Sequence, residues 1–232
     1  MKWMKMPDVL QLFYPRLCLL CGRPLLTEEQ DMCLYCLCDL PLTYYYKRPD
    51  NPMRKFYAGF SQIRNVSAFL FFEKEGMAQT LIHAIKYHGN RHLASQLGCM
   101  AALEMKTYGL FEDIDCLVPV ALHPKRERQR GYNQSEWIAR GMASVCQRPV
   151  NRDALHRNVP TTTQTRKSFY ERHLNVEKIF EIRNPDALAG QHVLLIDDVV
   201  TTGATTIACI DALIAVPDIR ISVFALAIVP RY

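Results

Sequence analysis

Hydrophobic residues follow two different patterns along this chain. Continuous apolar runs, rich in β-branched and aromatic residues, predict strands over residues 66–72, 116–120, 192–196 and 221–229. Apolar positions at helical spacing predict helices over 76–86, 93–105, 134–146 and 204–215, with shorter helices over 8–14 and 166–173. Strands that are apolar throughout and alternate with helices are typical of a parallel sheet covered on both faces, so the sequence predicts an α/β fold.

The length of the chain favours one domain with a small appendage. It has 232 residues, and a domain takes roughly 150. The segment 47–52 is rich in proline and charge and is typical of a linker, so we expect a module over 1–45 and a larger domain over 60–232. Hydrophobic residues make up 49% and charged residues 22%, which excludes a largely disordered chain.

Two features of the sequence argue for a cytoplasmic protein. No apolar run approaches the roughly 18 uncharged residues that span a bilayer, and the best candidate, 207–216, contains Asp211. Pro7 and Asp8 follow the N-terminal lysines where a signal peptide would have its apolar core. We therefore expect no membrane span and no export signal.

Nine cysteines are too many to leave unexplained, and disulfides are rare in the cytoplasm. Cys18 and Cys21 form one CxxC pair, and Cys33 and Cys36 form a second after eleven residues. Two such pairs can place four thiolates around a metal, with zinc as first choice, although Cys38 could replace Cys36 as the fourth ligand. Buried thiols or a redox pair are the alternative.

The remaining four cysteines stand alone among apolar residues, which is typical of buried structural positions: Cys99, Cys116, Cys146 and Cys209.

The segment 193–205 carries the clearest chemical signal. Asp197 and Asp198 follow an apolar run, and adjacent carboxylates need partners, so we expect them at the strand's carboxyl end, where α/β sheets bind ligands. The next residues offer hydroxyls and backbone N–H groups at a helix start, which suits a phosphate: Thr201, Thr202, Gly203, Ala204 and Thr205. Carboxylates for sugar hydroxyls beside a phosphate cradle predict a ribose 5-phosphate site. The phosphate loop lacks a P-loop lysine, which disfavours a P-loop nucleotidase.

This segment resembles the signature of type I phosphoribosyltransferases, which bind phosphoribosyl pyrophosphate. Further motifs are similar to those of ComF-type proteins: 117–120, 123–134, 157–165, Arg172, Asn175 and Phe180. That family joins a four-cysteine zinc module to a phosphoribosyltransferase domain and is associated with competence for DNA uptake. With the cysteine module, the resemblance covers nearly the whole chain.

The resemblance implies roles for named residues. Asp197 and Asp198 would hold the ribose 2- and 3-hydroxyls, residues 201–205 the 5-phosphate, and magnesium would accompany phosphoribosyl pyrophosphate. The pyrophosphate leaving group needs cations, which a basic loop after the second strand offers: Lys125, Arg126, Arg128 and Arg130. A solvated basic loop is the alternative. Lys86 either points at the same site or is an exposed lysine at a helix end, and 157–172 could close over the substrate as a lid.

Two functions from different classes follow. One is a magnesium-dependent phosphoribosyltransferase, an enzyme of pentosyl transfer, whose acceptor the sequence does not name. The other is a non-catalytic competence factor that uses the same fold to bind single-stranded DNA or a helicase. The net charge of +5 favours anionic partners but is too small to indicate nucleic-acid binding by itself.

Overall fold

The computed structural model describes residues 15–158 and 179–230. Its helices are Leu34–Cys38 (α1), Met77–Tyr87 (α2), Arg91–Lys106 (α3), Pro124–Arg130 (α4), Gln134–Cys146 (α5) and Ala204–Leu213 (α6). Its strands are Ile63–Phe71 (β1), Cys116–Pro119 (β2), Leu155–Arg157 (β3), Phe180–Ile182 (β4), His192–Val200 (β5) and Arg220–Ile228 (β6). The helices predicted over 8–14 and 166–173 lie outside these residues, as do Arg172, Asn175 and most of 157–165.

Four strands form one parallel sheet in the order β1-β6-β5-β2. Short segments extend it at both edges. Leu42 pairs with Leu70 of β1 in antiparallel orientation, and Val150 pairs with Leu117 of β2 in parallel orientation. The predicted α/β class, a mainly parallel sheet flanked by helices, is confirmed.

The sheet is buried on both faces because successive side chains of its strands point in opposite directions. Leu194 of β5 packs into the core under α2, α3 and α5, whereas Leu195 packs into the core under α6. The cysteine module lies on the first of these faces, since its Cys33 and Cys36 belong to the same core as α3. No described helix has the length and apolar character needed to cross a membrane.

Helices α3 and α5 cross at two glycines. A Cβ atom at Gly98 would lie 2.2 Å from the Ile138 carbonyl oxygen, and one at Gly141 would lie 1.9 Å from the Ser95 carbonyl oxygen. The two backbones therefore touch directly, which no larger residue permits at either position. This contact fixes α5, whose first turn reaches the site described below.

The structure corrects two local expectations and adds a strand pair. Strand β5 continues past Ile196, because Val199 and Val200 pair with β6, so 197–200 is strand and not a polar loop. The basic segment after β2 is helix α4, which starts at Pro124, a residue suited to a first turn. The antiparallel pair β3–β4 had no signal in the pattern, since each strand has only three residues.

The segment between the predicted module and domain is ordered into two 3-10 helices, Tyr45–Lys47 and Pro52–Tyr57. Asn51 accepts a hydrogen bond from the Met53 N–H and donates one to the Val66 carbonyl of β1 at 2.8 Å. The segment therefore packs on the sheet. The domain boundaries at 45 and 60 stay a prediction.

Contacts also tie the cysteine module to α3. The Asp31 carboxylate accepts a hydrogen bond from Asn90, which caps α3, at 2.6 Å and lies 3.1 Å from His92 Nδ1. The main-chain carbonyl of Asp31 accepts the Leu19 N–H. One aspartate thus joins the cysteine loop to the start of α3.

Candidate functional site

Two adjacent carboxylates lie near the carboxyl end of the central strand β5. They lie at the predicted end of the strand but still within it: Asp197 is 8% exposed, and its backbone pairs with Ala225 of β6. One Asp197 oxygen accepts the Asp198 N–H at 2.8 Å. Burial raises the pKa of Asp197, and the neighbouring charge of Asp198 raises it further. A buried acidic pair at the carboxyl end of a parallel sheet occupies the position where such folds bind ligands.

Lys86, at the end of α2, completes this acidic pair. Its Nζ lies 2.9 Å from Asp198 Oδ1, and the two side chains are only 19% and 13% exposed. The interpretation of Lys86 as an ordinary exposed lysine is therefore wrong. The structure brings Lys86 to the predicted site.

The predicted phosphate loop leads from β5 into α6. Thr201 and Thr202 are exposed, and Gly203 caps α6 with a φ of +78°, which favours glycine. The Thr202 hydroxyl lies 3.4 Å from the Ala204 nitrogen. The helix has ten residues, so its amino end carries free N–H groups and a partial positive charge beside these hydroxyls. The arrangement suits an anion.

Two aromatic residues that the sequence reasoning did not single out support this loop. Phe56 packs against Gly203, where an added Cβ would lie 3.5 Å from the Phe56 Cβ. The Tyr57 hydroxyl lies 2.8 Å from Thr206 Oγ1, and Thr206 donates in turn to the Gly203 carbonyl at 2.9 Å. The three aromatic residues among 56–60 were the available signal, but they lay in the expected gap between domains.

The three predicted arginines occupy different positions on α4. Arg130 donates to Gln134 Oε1 at 2.9 Å, and its guanidinium lies 5.8 Å from the Tyr87 ring centre next to Lys86. Arg126 is half-buried, whereas Arg128 is exposed beside an open groove. The predicted basic loop is thus a short helix with two of its arginines turned partly inward.

Arg157, at the end of β3, is a buried cation near the same site. It is 9% exposed and stacks 5.1 Å from the Phe180 ring centre. Burial lowers the pKa of its guanidinium, the charge of Arg126 adds to this, and Asp197 opposes it. Arg157 therefore lies within electrostatic reach of both the acidic pair and α4.

The motif after Arg130 positions other elements. The Tyr132 hydroxyl donates to the Ile85 carbonyl, directly before Lys86. Asn133 caps α5 and donates to the Val120 carbonyl, at the end of β2, at 3.0 Å. These two side chains hold α2, β2 and α5 together around the acidic pair.

A second candidate site lies in the cysteine module. The sulfur atoms of Cys18, Cys21, Cys33 and Cys36 all lie within 4.8 Å of one another. Those of Cys21 and Cys33 are 3.7 Å apart, and tetrahedral zinc with Zn–S distances of 2.3 Å would hold its sulfurs about 3.8 Å apart. This cluster could therefore hold a metal such as zinc. Cys38 is exposed and lies outside it, so the structure selects Cys36 as the fourth sulfur.

The backbone around Cys18 favours its thiolate, whereas burial and the neighbouring thiols raise the pKa of Cys36. Burial opposes ionisation of Cys18, but hydrogen bonds from the N–H groups of Cys33, Cys21 and Leu20 outweigh it and lower the pKa of the Cys18 thiol to about 6. The other four cysteines form no disulfide; Cys116 and Cys209 are buried, and Cys99 and Cys146 half-buried.

Comparison with known proteins gives relatives but no match to a protein-family model. The chain is 28% identical over 207 residues to DNA utilization protein YhgH of Escherichia coli K12, covering 82% of this chain and 87% of that protein. It is 38% identical over 89 residues to competence protein ComFC of Bacillus subtilis, covering 38% and 34%. It is 29% identical over 92 residues to competence protein F of Haemophilus influenzae, covering 39% and 40%.

Among solved structures, the chain is similar to the allosteric regulatory enzyme of purine biosynthesis, with a TM-score of 0.39 and 20% identity. The likeness covers 56% of this chain and 25% of that longer chain.

The structure is thus an α/β protein whose parallel sheet has an acidic pair and a hydroxyl-rich loop at its carboxyl edge, joined to a four-cysteine module. Its relatives include two competence proteins and a DNA utilization protein. The chain is therefore similar to ComF-type competence proteins.

Proposed function

We propose that this protein binds phosphoribosyl pyrophosphate together with magnesium and transfers the phosphoribosyl group to an acceptor. The observation that carries the proposal is the placement of Asp197 and Asp198 on β5, three residues ahead of the exposed hydroxyls that lead into α6. The carboxylates would accept hydrogen bonds from the ribose 2- and 3-hydroxyls. The loop 201–205 would bind the 5-phosphate through its hydroxyls and the amino end of α6.

The reaction would break the anomeric bond to pyrophosphate through an oxocarbenium-like state. Magnesium suits the oxygen ligands of such a substrate and would neutralise charge on its phosphates. Arg126, Arg128 and Arg130 are proposed to stabilise the departing anion, because guanidinium groups stay charged and match phosphate oxygens. The inward placement of Arg126 and Arg130 supports this role more strongly than the exposed position of Arg128.

We also propose that the four-cysteine cluster holds one structural zinc ion. A module of about 25 residues has too small a core to stay folded without a further link. The module meets α3 and the sheet edge, so zinc would stabilise a surface of the main domain and take no part in transfer. A cytoplasmic location agrees with this use of reduced thiols.

A DNA-related role is the second candidate. The relatives are named for DNA utilization and competence, and the exposed basic residues Lys125 and Arg128 could contact phosphates of single-stranded DNA or an acidic surface of a helicase. This role does not exclude ligand binding in the same fold.

One experiment ranks the two candidates. Phosphoribosyl pyrophosphate, with and without magnesium, ribose 5-phosphate and single-stranded DNA are titrated against the parent and against a triple alanine variant at Arg126, Arg128 and Arg130. If the arginines serve pyrophosphate, phosphoribosyl pyrophosphate binding weakens tenfold or more and ribose 5-phosphate binding much less, since charge-assisted contacts contribute about 1.5 to 3 kcal/mol each.

If the arginines serve nucleic acid, the variant instead loses DNA affinity, and the salt dependence becomes shallower by roughly one unit of slope per lost phosphate contact. Equal weakening of both small ligands with unchanged DNA binding would contradict both roles.

A further inference from the structure

The protein itself places a positively charged group, the ammonium of Lys86, against the acidic pair. Lys86 comes from α2, whereas Asp197 and Asp198 lie on β5, so the fold alone brings these three residues together. Lys86 Nζ approaches Asp198 Oδ1 to 2.9 Å, and both side chains are largely shielded from water. Such a pair is far less screened than the ion pair of Lys74 and Glu75, which is 3.8 Å long and almost fully exposed.

The position of Lys86 is fixed by its neighbours. Directly before it, the Ile85 side chain is fully buried and the Ile85 carbonyl accepts the Tyr132 hydroxyl. Directly after it, the Tyr87 ring lies under the Arg130 guanidinium. Tyr132 is itself buried beneath the Arg91 guanidinium, 5.1 Å from its ring centre. The end of α2 is therefore held on both sides of Lys86, and the ammonium group is aimed at Asp198.

This arrangement competes with a metal ion for the same oxygen. A divalent cation such as Mg²⁺ would need an Asp198 oxygen at about 2.0 to 2.1 Å. The ammonium at 2.9 Å occupies that approach, and one Asp197 oxygen is already engaged by the Asp198 N–H. We propose that Lys86 is a positioning residue that acts as an internal counter-ion and keeps free divalent cations off Asp198 in the unliganded protein.

The inference rests on the proposed function and deepens it. With Lys86 in place, the acidic pair would not accumulate magnesium from solution, and the metal would enter only with a ligand that brings its own phosphate oxygens. The site would then discriminate the metal complex of a phosphorylated sugar from the free metal.

The test measures binding of Mn²⁺ alone, which prefers the same oxygen ligands as Mg²⁺ and is detected by its paramagnetic resonance signal. The zinc-loaded full chain is titrated as parent, Lys86→Met, Lys86→Gln, Lys86→Arg and the double variant Lys86→Met with Asp198→Asn. Lys74→Met is the control, because it also removes one lysine charge, but from an exposed ion pair outside the acidic pair. Circular dichroism checks that each variant is folded, and Lys86→Gln, which keeps a hydrogen-bond donor, replaces Lys86→Met if the latter is not.

We expect the neutral Lys86 variants to bind Mn²⁺ at least tenfold more tightly than the parent. Lys86→Arg and Lys74→Met should match the parent, and Asp198→Asn should abolish the gain. Equal Mn²⁺ binding by parent and neutral variants, whether tight or undetectable, would overturn the inference. Parent binding of phosphoribosyl pyrophosphate with magnesium is measured on the same preparation. If the parent does not bind phosphoribosyl pyrophosphate, the proposed function is rejected. If the neutral variants do not bind Mn²⁺ more tightly than the parent, only the role of Lys86 is rejected.

Discussion

Replacement of Gly141 by alanine tests how α5 is fixed against α3. In an isolated helix this change would stabilise by about 1 kcal/mol, because alanine is the better helix former. In this protein the new Cβ would lie 1.9 Å from the Ser95 carbonyl oxygen, 2.7 Å from its carbonyl carbon and 2.9 Å from its Cα. All three are backbone atoms, so no side chain can swing away and the helices must separate by roughly 1 Å.

Overpacking of a tight core costs about 1 to 3 kcal/mol, and backbone displacement places this case at the upper end. When the gain in helix propensity is subtracted from this cost, we expect the free energy of unfolding to fall by about 2 kcal/mol. This corresponds to a fall of about 4 to 8 °C in Tm for a chain of this size. Thermal and urea unfolding followed by circular dichroism would measure it.

The matched control is Gly59→Ala. Nothing lies within 4 Å of a Cβ built at Gly59, and its φ is not positive, so this variant should be neutral or more stable by about 0.5 kcal/mol. If Gly141→Ala were as stable as Gly59→Ala, direct backbone contact would not determine the packing of α5 on α3.

Three further predictions concern the two candidate sites. Elemental analysis should find about one zinc per chain, lost in Cys36→Ser and retained in Cys38→Ser; less than half an equivalent in the parent would remove the metal site. Because burial raises the pKa of Asp197, its carboxyl should make the free energy of unfolding decrease as pH rises from about 4 to the raised value. Asp197→Asn should therefore stabilise the unliganded protein at pH 8 and have less effect at pH 4, as urea unfolding at both pH values would show; equal effects would contradict this. Tyr132→Phe should lose about 1 to 3 kcal/mol because the Ile85 carbonyl loses its buried donor; a variant as stable as the parent would refute this.

Long elements with a single period were predictable from sequence. The helix over 134–146 has the predicted bounds, because its apolar face repeats regularly and Asn133 is a strong cap. The strand over 192–196 was recognised but ended too early. Two adjacent carboxylates in a sequence usually indicate that a buried strand has ended. Here Lys86, more than 100 positions away in sequence, pairs with Asp198 and allows it to remain within β5.

Features that depend on distant contacts were not predictable. The basic segment around Arg126 has no apolar periodicity, and it is helical because Pro124 starts a turn and His123 accepts the Lys125 N–H at 3.2 Å. The aromatic support from Phe56 and Tyr57 is visible only once the phosphate loop lies beside them. The four-cysteine cluster could be predicted from its spacing, whereas the choice of Cys36 over Cys38 required the helical turn of α1.

Calorimetric titration of phosphoribosyl pyrophosphate with magnesium tests the central claim most directly. The parent should bind, and the double variant Asp197→Asn with Asp198→Asn should weaken binding by about a hundredfold, since two charge-assisted hydrogen bonds contribute about 3 kcal/mol. An unchanged circular dichroism spectrum would show that the loss is local. A parent that does not bind, or a folded double variant that binds as the parent does, would contradict the assignment of these carboxylates as the ribose site.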